Sequence, residues 1–161
     1  MIILGIDPGI ADTGYGLIKT ENNSLICLAY GSIKTKAQMD LGQRLLIINQ
    51  ELAKIIKKYK PDRAAIEQLF FCNNAKTAIM VGQARGVVVL TCQQQKVPMC
   101  EFTPLQVKQA VAAYGQAGKV QVQKMVKILL NLKEIPKPDD AADALAIAIC
   151  AANSRISGLK K

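Results

Sequence analysis

No histidine occurs anywhere in the 161 residues of this chain. That absence removes Ser-His-Asp and Cys-His nucleophile systems, any histidine general base, and the commonest zinc ligand. Cysteine does not make up the loss. Its five copies, Cys27, Cys72, Cys92, Cys100 and Cys150, are scattered with no C-x-x-C pair. An odd number of thiols in apolar surroundings reads as reduced cysteine in the cytoplasm. Tryptophan is absent and the other aromatics are few, 3 Phe and 4 Tyr. No apolar run reaches the roughly 20 residues of a membrane span. Met1 leads straight into Ile2 with no basic flank, so no secretory leader is expected. Acids are the scarce charge, 12 against 21 Lys plus Arg, for a formal +9. That excess favours a polyanionic partner, nucleic acid before membrane, over a merely soluble basic protein. Chemistry in this chain therefore runs on carboxylates, lysines or a hard metal ion.

What is present is a full core. Half the residues are hydrophobic and spread along the length, which excludes disorder. The length suits one domain, over residues 1–153, with a short basic tail over 154–161. There is no internal repeat and no linker.

The run Ile2-Ile3-Leu4-Gly5-Ile6 reads as a strand buried on both faces, and it ends in Asp7 before Pro8 and Gly9 break it. A charge at the end of a central strand is costly without a partner, although an Asx turn through its own backbone also accounts for Asp7. Strands are expected at 13–19 and 24–34, antiparallel after polar turns, and the glycines Gly14, Gly16 and Gly31 permit close backbone approach. Leu41, Leu45, Ile48, Leu52, Ile55 and Tyr59 recur at helical steps, with Asp40 as the cap and a lysine-rich C-terminal end. A short strand over 63–67 again terminates in a carboxylate, Glu67. The apolar stretch 74–94 implies burial on two sides, and Gly82 and Gly86 leave room for close packing, on the protein's own sheet or on a second subunit. A fifth strand over 98–102 precedes a helix opened by Thr103 and Pro104, then a helix over about 120–132. The last helix begins at Pro138-Asp139-Asp140 and is rich in strong helix formers. The outcome is an α/β fold on a five-stranded mixed sheet, three antiparallel strands followed by parallel ones, flanked by helices.

Asp140 and Asp143 stand three apart at the start of that last helix and share a face. Asp139 is available for capping, which leaves Asp143 unexplained ahead of Ala, Leu, Ile and Cys. Asp7, Glu67, Asp140 and Asp143 are four acids at exceptional places. With no His or Cys among them, they form an all-oxygen donor set suited to Mg²⁺ or Mn²⁺. Two divalent ions would balance their charge, and paired metals of that kind serve phosphodiester hydrolysis. A metal-dependent nuclease is one reading; a structural or nucleotide-binding role for the acids is the other.

Gly5-Ile-Asp-Pro-Gly9 with Thr13-Gly-Tyr-Gly16, Ala65-Ile-Glu-Gln68, Gly82-Gln-Ala-Arg-Gly86, Gln106-Val-Lys-Gln109 and Asp140-Ala-Ala-Asp-Ala-Leu-Ala-Ile-Ala148 together resemble the RuvC family, the crossover (Holliday) junction endodeoxyribonucleases. The match runs in order from about residue 2 to 150. It implies an RNase H-like fold, a homodimer, and Asp7, Glu67, Asp140 and Asp143 as catalytic metal ligands. It also implies symmetric nicks in two like-polarity strands of a four-way junction during recombination and repair, with the RuvA and RuvB branch-migration complex as partners. A two-fold dimer and a four-way junction are suited to one another, since each offers two equivalent positions.

DNA contacts follow from the same comparison. Phe70 and Phe71 follow the turn expected after Glu67; one packs in the core and the other, with Phe70 favoured by the resemblance, stacks on an unpaired base. Lys108 and Lys119 match lysines near the scissile phosphate. Arg85, Asn73, Lys76, Lys124 and Lys127 are further candidates for phosphate contact. Two rivals stand beside this reading. An actin/sugar-kinase-like ATPase also carries Gly-Ile-Asp-x-Gly but needs two such domains, and micromolar ATP binding would revive it. A catalytically silent junction-binding protein would not need four acids.

Overall fold

The computed structural model describes residues 1–22, 24–68 and 75–154, with side chains in the second helix from residue 78 onward. The elements run β1 Ile2–Asp7, β2 Asp12–Glu21, β3 Ser24–Lys34, α1 Leu41–Tyr59, β4 Arg63–Glu67, α2 Ala75–Gln94, β5 Met99–Phe102, α3 Pro104–Ala112, α4 Lys119–Leu129 and α5 Asp139–Asn153. Five strands form one sheet in the order β3-β2-β1-β4-β5. The β1–β2 and β2–β3 pairs are antiparallel, whereas β1–β4 and β4–β5 are parallel. The expected mixed sheet is present, with β1 at its centre. Residues 69–74 and the tail from 155 onward lie outside the described part, and with them Phe70, Phe71 and Asn73.

Strand alternation divides the core into two layers. Leu4 and Ile6 of β1 and Ile66 of β4 face α1 and α2, where they pack with Ile48, Leu52, Ala84 and Val88. Ile3 and Ala65 face the other way, toward α3, α4 and α5. Asp7 shares the parity of Ile3, and Glu67 that of Ala65. Both acids therefore leave the sheet on the α5 side.

α5 is buried on nearly every face from Ala141 to Ala151, as an Ala-rich helix without a polar stripe should be. It presses directly on the sheet at glycines. A Cβ on Gly5 would overlap the Ala144 carbonyl oxygen and lie 2.7 Å from the Ala148 nitrogen, and one on Gly16 would lie 2.8 Å from the Leu145 nitrogen. On Gly14 a Cβ would overlap the Asp140 carbonyl. That close approach brings the start of α5 to the end of β1.

Three sequence expectations change in detail. Asp40 stands at the N-cap of α1 but its side chain makes no capping hydrogen bond. Thr103 caps α3 as anticipated, in a reciprocal capping box with Gln106 and with Pro104 in the first turn. Asp139 does not cap α5, where Pro138 takes the N-cap and no side-chain cap bond forms. A Cβ on Gly86 would meet nothing within 4 Å among the described residues, so close packing there on the protein's own sheet is absent while the second-subunit alternative stays open.

Candidate active site

The parallel register of β1 and β4 aligns Ile6 with Ile66, so Asp7 and Glu67 emerge side by side at one sheet edge. The turn after Asp7 is held by the Thr13 hydroxyl, which donates to the Gly9 carbonyl at 2.7 Å. Gly9 is required there for space, since a Cβ would overlap the Asp12 carbonyl oxygen. Across from the sheet edge, Asp143 projects from the second turn of α5, and Asp140 lies one turn earlier against Gly14.

Asp7, Glu67 and Asp143 line a cleft of about 250 Å³ together with Lys108 and Lys119, over an apolar floor that includes Val107, Val122 and Ile147. A larger concavity, about 1010 Å³, opens at the opposite end of the sheet around Met1, Glu21 and Asn131. It lacks a convergent set of acids, and chemistry decides here, not size.

The cleft opposes ionisation of its own acids. Burial, then the charges of Asp143, Asp140 and Glu67, push Asp7 up to about 7 from an ordinary value of 3.8, with Lys119 partly offsetting them. Burial and Asp143 raise Glu67 against the pull of Lys108. Burial raises Asp143 as well, although Lys119 pulls it back. The Lys119 ammonium is itself made more basic: burial works against its charge, but Asp143 and Asp139 outweigh that. Carboxylates that discourage one another's charge in a half-buried cleft call for cations.

The donor set fits a hard divalent ion in kind, being all oxygen. Finished coordination is a separate matter. Among the described residues no three acids gather around one centre as an ion's ligands would. Asp143 is turned toward Lys119, whose Nζ stands 3.1 Å from Asp143 Oδ2 and 3.4 Å from Asp139 Oδ2.

The other sequence candidates divide sharply. Lys108 and Lys119 reach the cleft. Arg85 is engaged by Glu101 of β5 at 2.7 Å and is not a free cation. Lys124 is exposed and Lys127 half-buried on α4. Lys76 falls in α2, its side chain outside the described residues. Sequence reasoning missed the partnership of Lys119 with the acids. The signal was available: a lysine opening a helix stands at the positive end of the macrodipole and needs an anion nearby.

Comparison with known proteins places the chain in a family. A sequence model of the family described as Crossover junction endodeoxyribonuclease RuvC matches residues 3–151. The crossover junction endodeoxyribonuclease RuvC of Halothermothrix orenii is 58% identical over 154 residues, covering 96% of this chain and 93% of the relative. That of Ruminiclostridium cellulolyticum is 55% identical over 158 residues, covering 98% and 95%. Among solved structures, Thermus thermophilus RuvC in complex with a Holliday junction substrate superposes with a TM-score of 0.86 at 35% identity, covering 94% of this chain and 93% of that one. Its fold is the RNase H-like fold that the RuvC resemblance implied. With family model, near full-length relatives and overall architecture in agreement, this chain belongs to the RuvC family of crossover junction endodeoxyribonucleases.

Proposed function

We propose that this protein resolves four-way DNA junctions, hydrolysing one phosphodiester in each of two like-polarity strands at a site built on Asp7, Glu67, Asp140 and Asp143. The observation that carries the reading is the convergence of Asp7, Glu67 and Asp143 on one cleft bordered by Lys108 and Lys119. Acids and lysines lining one cleft suit a substrate that brings a phosphate to a metal site.

Asp7 and Glu67 would hold the ions from the sheet, and Asp140 and Asp143 from the helix. Bound magnesium, two ions per subunit with manganese as a substitute, would supply positive charge to the phosphoryl oxygens and lower the pKa of a water. The rigid elements beneath the four acids fix their spacing before substrate arrives. Lys108 and Lys119 attract and orient the strand. One of Phe70 and Phe71, following directly on the Glu67 turn, stacks on an unpaired base and keeps the strand in register.

The active unit is a homodimer. On α2, Ile79, Gln83, Gly86 and Leu90 are exposed at steps of four, three and four, with Ile79 at 63% and Leu90 at 54%. Such a stripe suits the seam of a helix pair and supports this reading. Two sites related by a two-fold axis then address the two equivalent strands of a junction. The protein works in the cytoplasm with the RuvA and RuvB branch-migration machinery, partners that family membership suggests.

Incubation with magnesium and a synthetic four-way junction, beside linear duplex of the same sequence, tests the reading. Paired symmetric nicks in the junction and an intact duplex are expected; equal cutting of both would overturn junction selectivity.

A further inference from the structure

Lys119 is the first residue of an 11-residue helix whose N-cap, Gly118, contributes no side-chain bond. A cation there faces the positive end of the macrodipole, so the helix itself does not favour it. What holds it lies across the cleft, Asp143 at 3.1 Å and Asp139 at 3.4 Å. The two acids differ in setting. The Asp139 side chain is 62% exposed at the rim, and that of Asp143 is 32% exposed and faces the cleft. An ion that coordinates Asp143 through Oδ2 would therefore take the carboxylate oxygen that Lys119 now engages.

We propose that Lys119 is an exchangeable counter-cation for Asp143. It yields that carboxylate to a divalent ion and, still tethered at Asp139, turns its ammonium to a strand phosphate at the cleft mouth. The proposal rests on Asp143 being a metal ligand. It also gives Asp139 a purpose that capping does not, since this acid keeps the released ammonium within reach. The exchange is easy because the Lys119 side chain is 53% exposed, and ion pairs so exposed are weak. Linkage then makes the two events mutual. A phosphate that draws Lys119 away favours the metal, and the metal favours the phosphate by the same factor.

Manganese titration of the full-length protein without DNA, followed by the electron paramagnetic resonance of free Mn²⁺, reads the exchange directly. Lys119→Met is expected to bind Mn²⁺ about fivefold more tightly than the wild type. Lys119→Arg restores the wild-type affinity. Lys108→Met, which removes the same charge from the same cleft without an Asp143 pair, gives a clearly smaller gain. Affinity for Mn²⁺ that is unchanged or weaker in Lys119→Met overturns the proposal, as does an equal gain in Lys108→Met. Asp143→Asn separates the two layers of the argument. If it loses Mn²⁺ affinity while Lys119→Met gains none, the ligand assignment stands and the exchange fails. If it binds Mn²⁺ as the wild type does, the ligand assignment falls and the exchange with it.

Discussion

Gly5 of β1 and Ala144 of α5 meet backbone to backbone, with no volume for even one methyl group on the strand. This contact sets how close α5 lies to the sheet, and so how close Asp140 and Asp143 come to Asp7. A glycine in the middle of a buried strand weakens the strand, yet here it brings the helix carboxylates up to the sheet edge.

Gly5→Val should push α5 outward. Overpacking of this kind costs about 1–3 kcal/mol or more. Urea denaturation should show that loss, and junction cleavage should fall further than stability alone accounts for, because two of the four acids ride on the displaced helix. A variant as stable and as active as the wild type would show that the contact does not set the site.

The pH dependence of the metal-stripped protein follows from Asp7. Folding raises its pKa from 3.8 to about 7, so between those values the folded state holds a proton that the unfolded chain has released. The resulting stability is complete below about pH 4 and is lost as pH rises through about 7. Glu67 and Asp143 shift in the same direction and steepen the slope. In EDTA, Asp7→Asn should therefore exceed the wild type at pH 7.5 by about 2 kcal/mol after allowing for solvent screening. The advantage should vanish near pH 4. A variant less stable than the wild type at pH 7.5 would contradict the strain assigned to Asp7.

Leu90 gives access to the proposed dimer. Its side chain is 54% exposed, so Leu90→Lys should cost the isolated chain little stability. Placed at the seam of two α2 helices it should break their association. Sedimentation should then show a monomer at micromolar concentration, and junctions should be nicked once, without the paired second cut. A stable dimer carrying Leu90→Lys would move the interface elsewhere.

Much of this architecture is legible in the residues, for physical reasons that can be separated. The strand of Asp7 is visible because an unbroken Ile/Leu run is rarely anything but a buried strand, and period-two alternation then sends Asp7 and Glu67 to the same face. Asp143 stands out because a carboxylate entering an apolar helix has no local explanation. What the sequence hides is long-range. The Arg85–Glu101 pair joins α2 to β5, and no local rule links those positions. Asp139 looks like a cap because the first turn of a helix favours acids, and only the placement of α4 beside α5 shows it paired with Lys119. Gly86 suggests close packing on the sheet or on a second subunit, and among the described residues a Cβ there would meet nothing within 4 Å.

The central claim is that Asp7 serves as a metal ligand at the end of a buried strand. Its most direct test is Asp7→Asn, which keeps shape and removes charge. Junction binding by gel mobility shift, with calcium in place of magnesium, should match the wild type, while single-turnover cleavage in magnesium should fall by several orders of magnitude, as expected when a group acting only in the transition state is removed. Undiminished magnesium-dependent cutting by Asp7→Asn would contradict the account.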